Sequence, residues 1–599
     1  MAVASQAEDA PVSTSSPDWP ITNTEHGMLV AFGEFLQQHG LLERLRQVPI
    51  KQKTHTFTPQ AKLMEFLAGI MSGIEHLQDL NSGPRPLALD PVVAQAWGLE
   101  GFAHSTTVGR TLAACDAETV SAVEAVIAAF SRPFIETTVQ EEIRRGQRLV
   151  YDFDLTGQAV SSTSTTYPAA AFGWMNDQVR LGYQLARVCL APTHAERLWL
   201  AGFHHPGDTV SVTCLKDLLR AAEQQTEMRP RHRAELVSQR IAAQQTSLER
   251  TRRLAAQQQA KFKRQQQTQT TVIGKRYHAE QLLKTPISRK KQARLRMQIK
   301  NWQKRLPRLS EQIAQTQRLA AAHQARLTEQ TAELEALRTW QAQLLADNQA
   351  NPNPPDIEAR MDAGFASGDN LTWLVEMGYV PNTKAPNAQT TTALRAQLPR
   401  GATWERVGDN AEMILIGEHW LQGCPYPLVV AVERFKVGRL FKYATLVRYG
   451  PPPALAEWFA CYNARQTIEA GNKEMKGTFF VQHLMSRSPA GIHLQVLFVG
   501  LSANSVRWCQ PWLKRCAAAL TPSVSRTLDS PKALVRVAAN STALVQRTLA
   551  GTSLLFGPRS ALPGAAFTLW GVPAFQLPLG FHRPSKIASH STKSALNAH

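Results

Sequence analysis

Apolar residues recur along this chain with more than one period, and the changes of period divide it. Thr58 followed by Pro59 favours a helix start, and Leu63, Phe66, Leu67, Ile70, Ile74 and Leu77 then recur at helical spacing. Further helical pattern runs from Ser105 to about Phe130, so residues 19–148 are predicted to form a packed helical N-terminal domain. At Leu149 the period becomes two. In LVYDFDLT, Val150, Asp152, Asp154 and Thr156 share one face of a predicted strand, while Tyr151, Phe153 and Leu155 share the other. VRLGYQLARVCLA and RLWLAGF read as two more strands, ended by the turn HHPGD. Three consecutive strands suit the start of an α/β sheet, assigned to residues 149–214.

Residues 215–350 differ in kind. Leu295, Ile299, Trp302, Leu306, Leu309, Ile313, Ala320, Leu327, Leu334, Leu337 and Leu344 fit one heptad register, with Thr316, His323, Gln330 and Gln341 as its polar exceptions. A weaker seam (Ile241, Leu248, Ala255, Phe262) precedes it, and the stretch from about Thr268 to Ser288, with Gly274 and Pro286, lacks a clear period. The pattern predicts two long helices folded back as an antiparallel coiled-coil hairpin, kinked at Pro307. Residues 351–380 open on the break NPNPPD, after which IEARMDAGFASGDNLTWLVEMGYV reads as strand, turn and helix. Beta-rich patterns fill 381–450, and PPPALAEWFACYNARQTIEAGNKEMK returns to helix, opening a segment over 451–520 that ends with a second apolar helical run. Residues 521–599 read as a helical and loop-rich tail, and residues 1–18, rich in Ala, Ser, Thr, Pro and acids, as a disordered one.

A chain of 599 residues exceeds one core, and its net charge of +19 with a pI near 9.8 points to a polyanionic partner, most often nucleic acid. The charge is concentrated: residues 215–350 hold 27 Lys and Arg against 11 Asp and Glu, a surplus of 16. A basic arm of this kind suits a solvated charged helical arm with no ligand, or else a clamp on DNA phosphates or a pairing arm between subunits, and the surplus of Lys and Arg over acids tilts towards DNA. No stretch approaches about 18 uninterrupted apolar residues and the chain does not open on a basic end followed by an apolar run, so no membrane partner is expected. The seven cysteines include no CxxC pair, which supports neither a disulfide framework nor a zinc ribbon.

Chemistry concentrates in YNARQTIEAGNKEMK. At about 100° per residue, Tyr462, Arg465, Glu469 and Lys476 share an arc of roughly 60° on one helix, a face able to hold a metal and grip phosphate. Upstream, Asp362 ends a predicted strand at DAGF, where a small residue and a glycine permit a sharp turn. Asp154, with Thr156 two residues on, stands on the first predicted core strand; Asp152 faces the same side and remains an alternative. Each of these acids alone has a duller role, as a turn, edge or solvated charge. Their order is what narrows the reading.

The helix pattern resembles the YREK signature of DDE transposases from bacterial insertion sequences, and RMDAGFAS resembles that family's second acidic motif. The resemblance covers about Leu149 to Trp508 without the arm, and is weaker over the N-terminal helices. It implies an α/β fold with a ribonuclease H-like core, a helical N-terminal domain that is a candidate for binding transposon ends, an inserted antiparallel coiled-coil arm and a β-rich insertion. It further implies that Asp154, Asp362 and Glu469 hold two divalent cations, Mg2+ or Mn2+, for cleavage at transposon ends and strand transfer into target DNA. Tyr462, Arg465 and Lys476 would contact backbone phosphates, although packing serves Tyr462 equally well. The expected partners are DNA and further copies of the chain, as a homodimer or higher assembly, and the expected location is the bacterial cytoplasm, on the nucleoid. Trp404 and Trp420 lie where some family members stack a tryptophan on a flipped base, but burial is the expected role for each. A catalytically inactive DNA-binding protein on this scaffold, or another ribonuclease H-like metal-dependent nuclease, would share most of these features.

Overall fold

The computed structural model describes residues 20–570 other than 55, 83–84, 164–165, 176, 549–550, 559 and 561. The predicted disordered tail over 1–18 and residues 571–599 of the C-terminal tail lie outside the described residues. Among the described residues no helix is long and apolar enough to cross a membrane.

The architecture is mixed α/β, built on a mixed sheet. A short strand, β1 (Ile21–Thr24), leads into α1 (Gly27–Gln38), α2 (Leu41–Leu45), α3 (Pro59–Ser72), α4 (Pro91–Ala96), α5 (Ser105–Ala114) and α6 (Ala117–Arg144). The Thr58 side chain accepts from the N–H of Ala61 and Pro59 stands in the first turn, which is why α3 starts there. These helices do not form a core of their own. Their apolar residues join one contiguous cluster with the sheet and the C-terminal helices, so the predicted separate packing of 19–148 is corrected.

The central sheet follows. Strand β2 (Leu149–Ala159) pairs antiparallel with β4 (Gln178–Leu190), which also pairs with β3 (Ala171–Met175) and β5 (Leu198–Pro206). Helix α7 (Ser211–Thr226) then buries Leu215, Leu218, Leu219 and Ala222 against the sheet, and the Tyr151 hydroxyl on β2 meets Thr226 Oγ1 at 2.7 Å. Residues 215–226 therefore belong to the core, and the predicted arm boundary at 215 is corrected. The inserted helices are α8 (Ala234–Leu282) and α9 (Arg289–Gln349), joined through a short turn at residues 283–288. Hydrogen bonds Gln330 to Ser247 and Gln269 to Ser310 pair later residues of one with earlier residues of the other, so the two run antiparallel. Leu309, Leu334, Leu337 and Leu344 are buried, as are the polar Thr316 and Gln330. Helix α9 continues through Pro307 without a break.

After the insertion, β6 (Ile357–Arg360) lies parallel to β2, and α10 (Gly368–Glu376) leads to β7 (Val380–Lys384), parallel to β6. Helix α11 (Ala388–Ala396) precedes β8 (Glu405–Arg406), β9 (Ala411–His419), β10 (Leu428–Val437) and β11 (Leu440–Arg448), which extend the same sheet. The sheet order is β3, β4, β2, β6, β7, β11, β10, β9, β8, with β5 also on β4. Helices α12 (Leu455–Asn463), α13 (Gln466–Gly477) and the long, largely buried α14 (Pro489–Cys516) follow. The segment expected to be a helical and loop-rich tail instead contains α15 (Pro522–Leu528), α16 (Pro531–Ala539) and three strands, β12 (Ala543–Thr548), β13 (Gly551–Phe556) and β14 (Ala566–Trp570). These strands form a second sheet with β1 at its edge, bringing the two ends of the described chain together.

Candidate active site

The alternation in LVYDFDLT holds: Tyr151 and Phe153 are buried towards the apolar core, while Asp152 and Asp154 face the other way. Their environments separate the two aspartates. Asp152 is fully buried and held by Arg360 on the neighbouring β6, through Nε to Oδ1 and through Nη2 to Oδ2 at 2.9 Å, and by Arg197. Asp154, one strand step further, accepts a hydrogen bond from Asn472 Nδ2 at 2.7 Å and lies 3.8 Å from Arg465 Nη2.

Asp362 follows β6 directly. Its carboxylate accepts the N–H of Gly364 at 2.9 Å, closing the one-turn helix Ala363–Phe365, and Thr383 on β7 donates to its carbonyl. Arg465 Nη2 is 3.4 Å from Asp362 Oδ2. One guanidinium therefore stands between a carboxylate on β2 and the carboxylate that follows the adjacent parallel strand β6. Burial raises the pKa of Asp362 and the Asp154 charge adds to this, while Arg465 opposes them.

A buried polar network docks the helices that carry the remaining residues. Arg360 Nη1 donates to the carbonyl of Cys461, Trp458 Nε1 to Asn382 Oδ1 at 3.0 Å, and Asn382 Nδ2 to Glu358 Oε1 at 2.8 Å. This ties α12 to β6 and β7. At Ala464–Arg465 the backbone keeps helical dihedrals but its hydrogen bonds tighten to the third residue back, so the single regular helix expected from Tyr462 to Lys476 is corrected to two helices joined by one tight turn. Tyr462 falls on the first of them, packed with Met413, Ala431, Leu446 and Trp458. Its ring is 8% exposed and burial pushes its hydroxyl up to about 12, so packing is the role its surroundings favour over phosphate contact.

Arg465, which caps α13 with helical dihedrals, and Glu469, Asn472 and Lys476 within it keep a common face, recurring at offsets of four, three and four. Arg465 and Asn472 of this face touch Asp154, and Glu469 lies between them, exposed to solvent. Desolvation lowers the pKa of Lys476 while Asp154 opposes the shift. Arg187, directly opposite Asp154 on β4, donates to the carbonyl of Ile468 at 2.6 Å, and its Nε is 3.9 Å from Asp154 Oδ2. Arg187 and Asn472 were not singled out in the sequence. A lone arginine inside the apolar run of LARVCL, and an asparagine one turn beyond Glu469, were the available signals.

The two aspartates present hard oxygen donors converging on one cationic group, a donor set that fits a divalent cation. Glu469 does not complete it in this arrangement. The only three His, Cys, Asp or Glu residues among those described whose ligand atoms lie within 4.8 Å of one another are Glu75, His76 and His483, elsewhere in the fold. Both tryptophans of the β-rich region depart from the expected burial: Trp420 is 62% exposed, and Trp404 lies half-buried under the Arg434 guanidinium, 4.3 Å from its ring centre. No protein-family model matches this chain, and no curated protein matches it.

Proposed function

We propose that this chain is a DDE transposase, cleaving DNA at transposon ends and joining the freed end to target DNA on a ribonuclease H-like core. One observation carries the reading. With β2, β4 and β5 counted as the first three core strands and β6 as the fourth, Asp154 stands on the first and Asp362 directly follows the fourth, and Arg465 faces both. Glu469 occupies a later helix whose inner face touches Asp154. Asp154 and Asp362, joined by Glu469 once its exposed side chain turned inward, would hold two divalent cations, Mg2+ or Mn2+, which would supply activation of the attacking oxygen and stabilisation of the leaving one.

The chain's own residues have distinct tasks in this scheme. Arg465 balances the clustered carboxylates and, once displaced from them, is placed to grip a phosphate bidentately. Lys476 supplies a point charge on the same face. Arg187 and Asn472 are positioning residues, since each ties α13 to β2 or β4. The α8–α9 hairpin serves as a coiled-coil arm along DNA, the N-terminal helices read the transposon ends, and the protein acts in the bacterial cytoplasm as a dimer or larger assembly.

The test is cleavage and strand joining on DNA carrying the flanking ends of the element that encodes the chain, with Mg2+ or Mn2+. Wild type is expected to cut and join, and Asp154→Ala, Asp362→Ala and Glu469→Ala to fall to background while still binding. Retained activity in all three variants would sink the site assignment. Wild-type binding without cleavage would favour a non-catalytic DNA-binding protein.

A further inference from the structure

We infer that Glu75, His76 and His483 form a zinc site that fastens the loop after α3 to the segment after α13. The ligand atoms of the three residues lie within 4.8 Å of one another. Glu75 Oε1 and His483 Nδ1 are 3.0 Å apart, and the two imidazole rings are 5.2 Å apart between centres. Zinc bonds of about 2.0–2.1 Å place tetrahedral ligand atoms roughly 3.4 Å from one another, so the three ligand atoms would close by up to roughly 1.4 Å to share one ion. Two imidazoles with one carboxylate favour zinc over magnesium or calcium, which take oxygen ligands. A cleft of about 590 Å3, lined in part by His76, Gln78 and Met485, opens beside His76.

Both loops are fixed before any ion binds. The carboxylate of Asp79 accepts the backbone N–H of Glu75 at 3.0 Å and of His76 at 2.7 Å. Gln495 on α14 grips the other loop twice, donating to the carbonyl of His483 at 2.8 Å and accepting from the N–H of Met485 at 2.9 Å. Gln158 on β2 donates to the carbonyl of Val481 at 2.9 Å. Gly73 allows the approach: its φ is +74°, and a Cβ there would stand 3.1 Å from the carbonyl oxygen of Thr478. Ligands pre-positioned in this way lose little freedom on binding. An ion here would clamp the end of the helix that carries Glu469 and Lys476 to the N-terminal helices.

The experiment uses the untagged full chain, stripped with a chelator and titrated with Zn2+ against a chromophoric competitor, with Co2+ absorption reporting the coordination geometry. Wild type is expected to take up one equivalent, with a raised Tm and a tetrahedral Co2+ spectrum. His76→Ala and His483→Ala should each weaken that uptake at least about tenfold. The double variant Asp154→Asn, Asp362→Asn should retain it, which separates this site from the acidic one. His76 is exposed, so His76→Ala carries the comparison even where His483→Ala folds poorly. Absence of uptake by wild type, or uptake unchanged in the folded His76→Ala protein, would overturn the assignment.

Discussion

Two aspartates separated by a single residue illustrate how surroundings set a role. Asp152 is sealed beneath Arg360 and Arg197, and its charge satisfies two guanidiniums that have little access to water. Removing one partner of a buried pair costs about 3–5 kcal/mol, because the remaining charge keeps its desolvation penalty. Asp154 is also buried, but its two guanidiniums stand further off, Arg465 at 3.8 Å and Arg187 at 3.9 Å, beside the Asn472 amide, and Asp362 shares Arg465 with it. Asp152→Asn is therefore expected to lower unfolding stability by several kcal/mol in urea, and Asp154→Asn, whose ion pairs are longer, to lower it by less. Equal losses in the two variants would contradict this division. The sequence left these two positions open because strand periodicity places both on one face. What separates them is the register Asp152↔Arg360, a contact between residues more than two hundred positions apart.

At the scale of elements, the hairpin is anchored at its base and charged at its far end. Glu376, buried at the end of α10, accepts from Arg240 at 2.6 Å, Trp340 at 2.8 Å and Tyr426 at 2.8 Å, so both hairpin helices meet the core through one carboxylate. Residues 248–329, beyond the Ser247–Gln330 hydrogen bond, hold 20 Lys and Arg against 4 Asp and Glu. That distal piece carries the whole surplus of the insertion. Replacing Leu248–Glu329 by a short Gly-Ser turn leaves the base contacts intact and should weaken DNA binding and flatten its dependence on salt, measured by titration at several ionic strengths. An unchanged salt slope would make the hairpin a structural or pairing element. The hairpin was legible because its heptads repeat many times. The interruption between α12 and α13 was not, since Ala464 and Arg465 carry no helix-breaking signal and keep helical dihedrals; it falls just after Trp458 and Cys461, which dock onto β6 and β7. Helix α7 was absorbed into the arm for the related reason that its spacing of Leu215, Leu218, Leu219 and Ala222 is equally good for packing on a sheet.

Over the whole molecule, the closure of the two ends against each other makes the N-terminal helices depend on strands more than five hundred residues away. Strand β1 pairs with β12 from Ile21↔Gln546 to Thr24↔Ala543, the Gly27 N–H donates to the carbonyl of Ser541 at 2.8 Å, and Thr24 Oγ1 donates to Asp90, which caps α4. Gly27 begins α1 at the tightest point of this junction. A Cβ there would stand 2.6 Å from Ala543 Cβ and 3.0 Å from the Phe556 ring, both on strands of the second sheet. Forcing atoms into such a contact costs about 1–3 kcal/mol, paid through displaced side chains and backbone. Gly27→Val should therefore lower Tm in a single cooperative transition, because α1 shares its apolar cluster with the central sheet and α14. Gly27→Val combined with Ala543→Gly should recover part of the loss, since the second change removes the nearest clashing atom. If the N-terminal helices unfolded in a separate early transition, or the double variant were no more stable than Gly27→Val alone, the strands of the second sheet would not be what holds them.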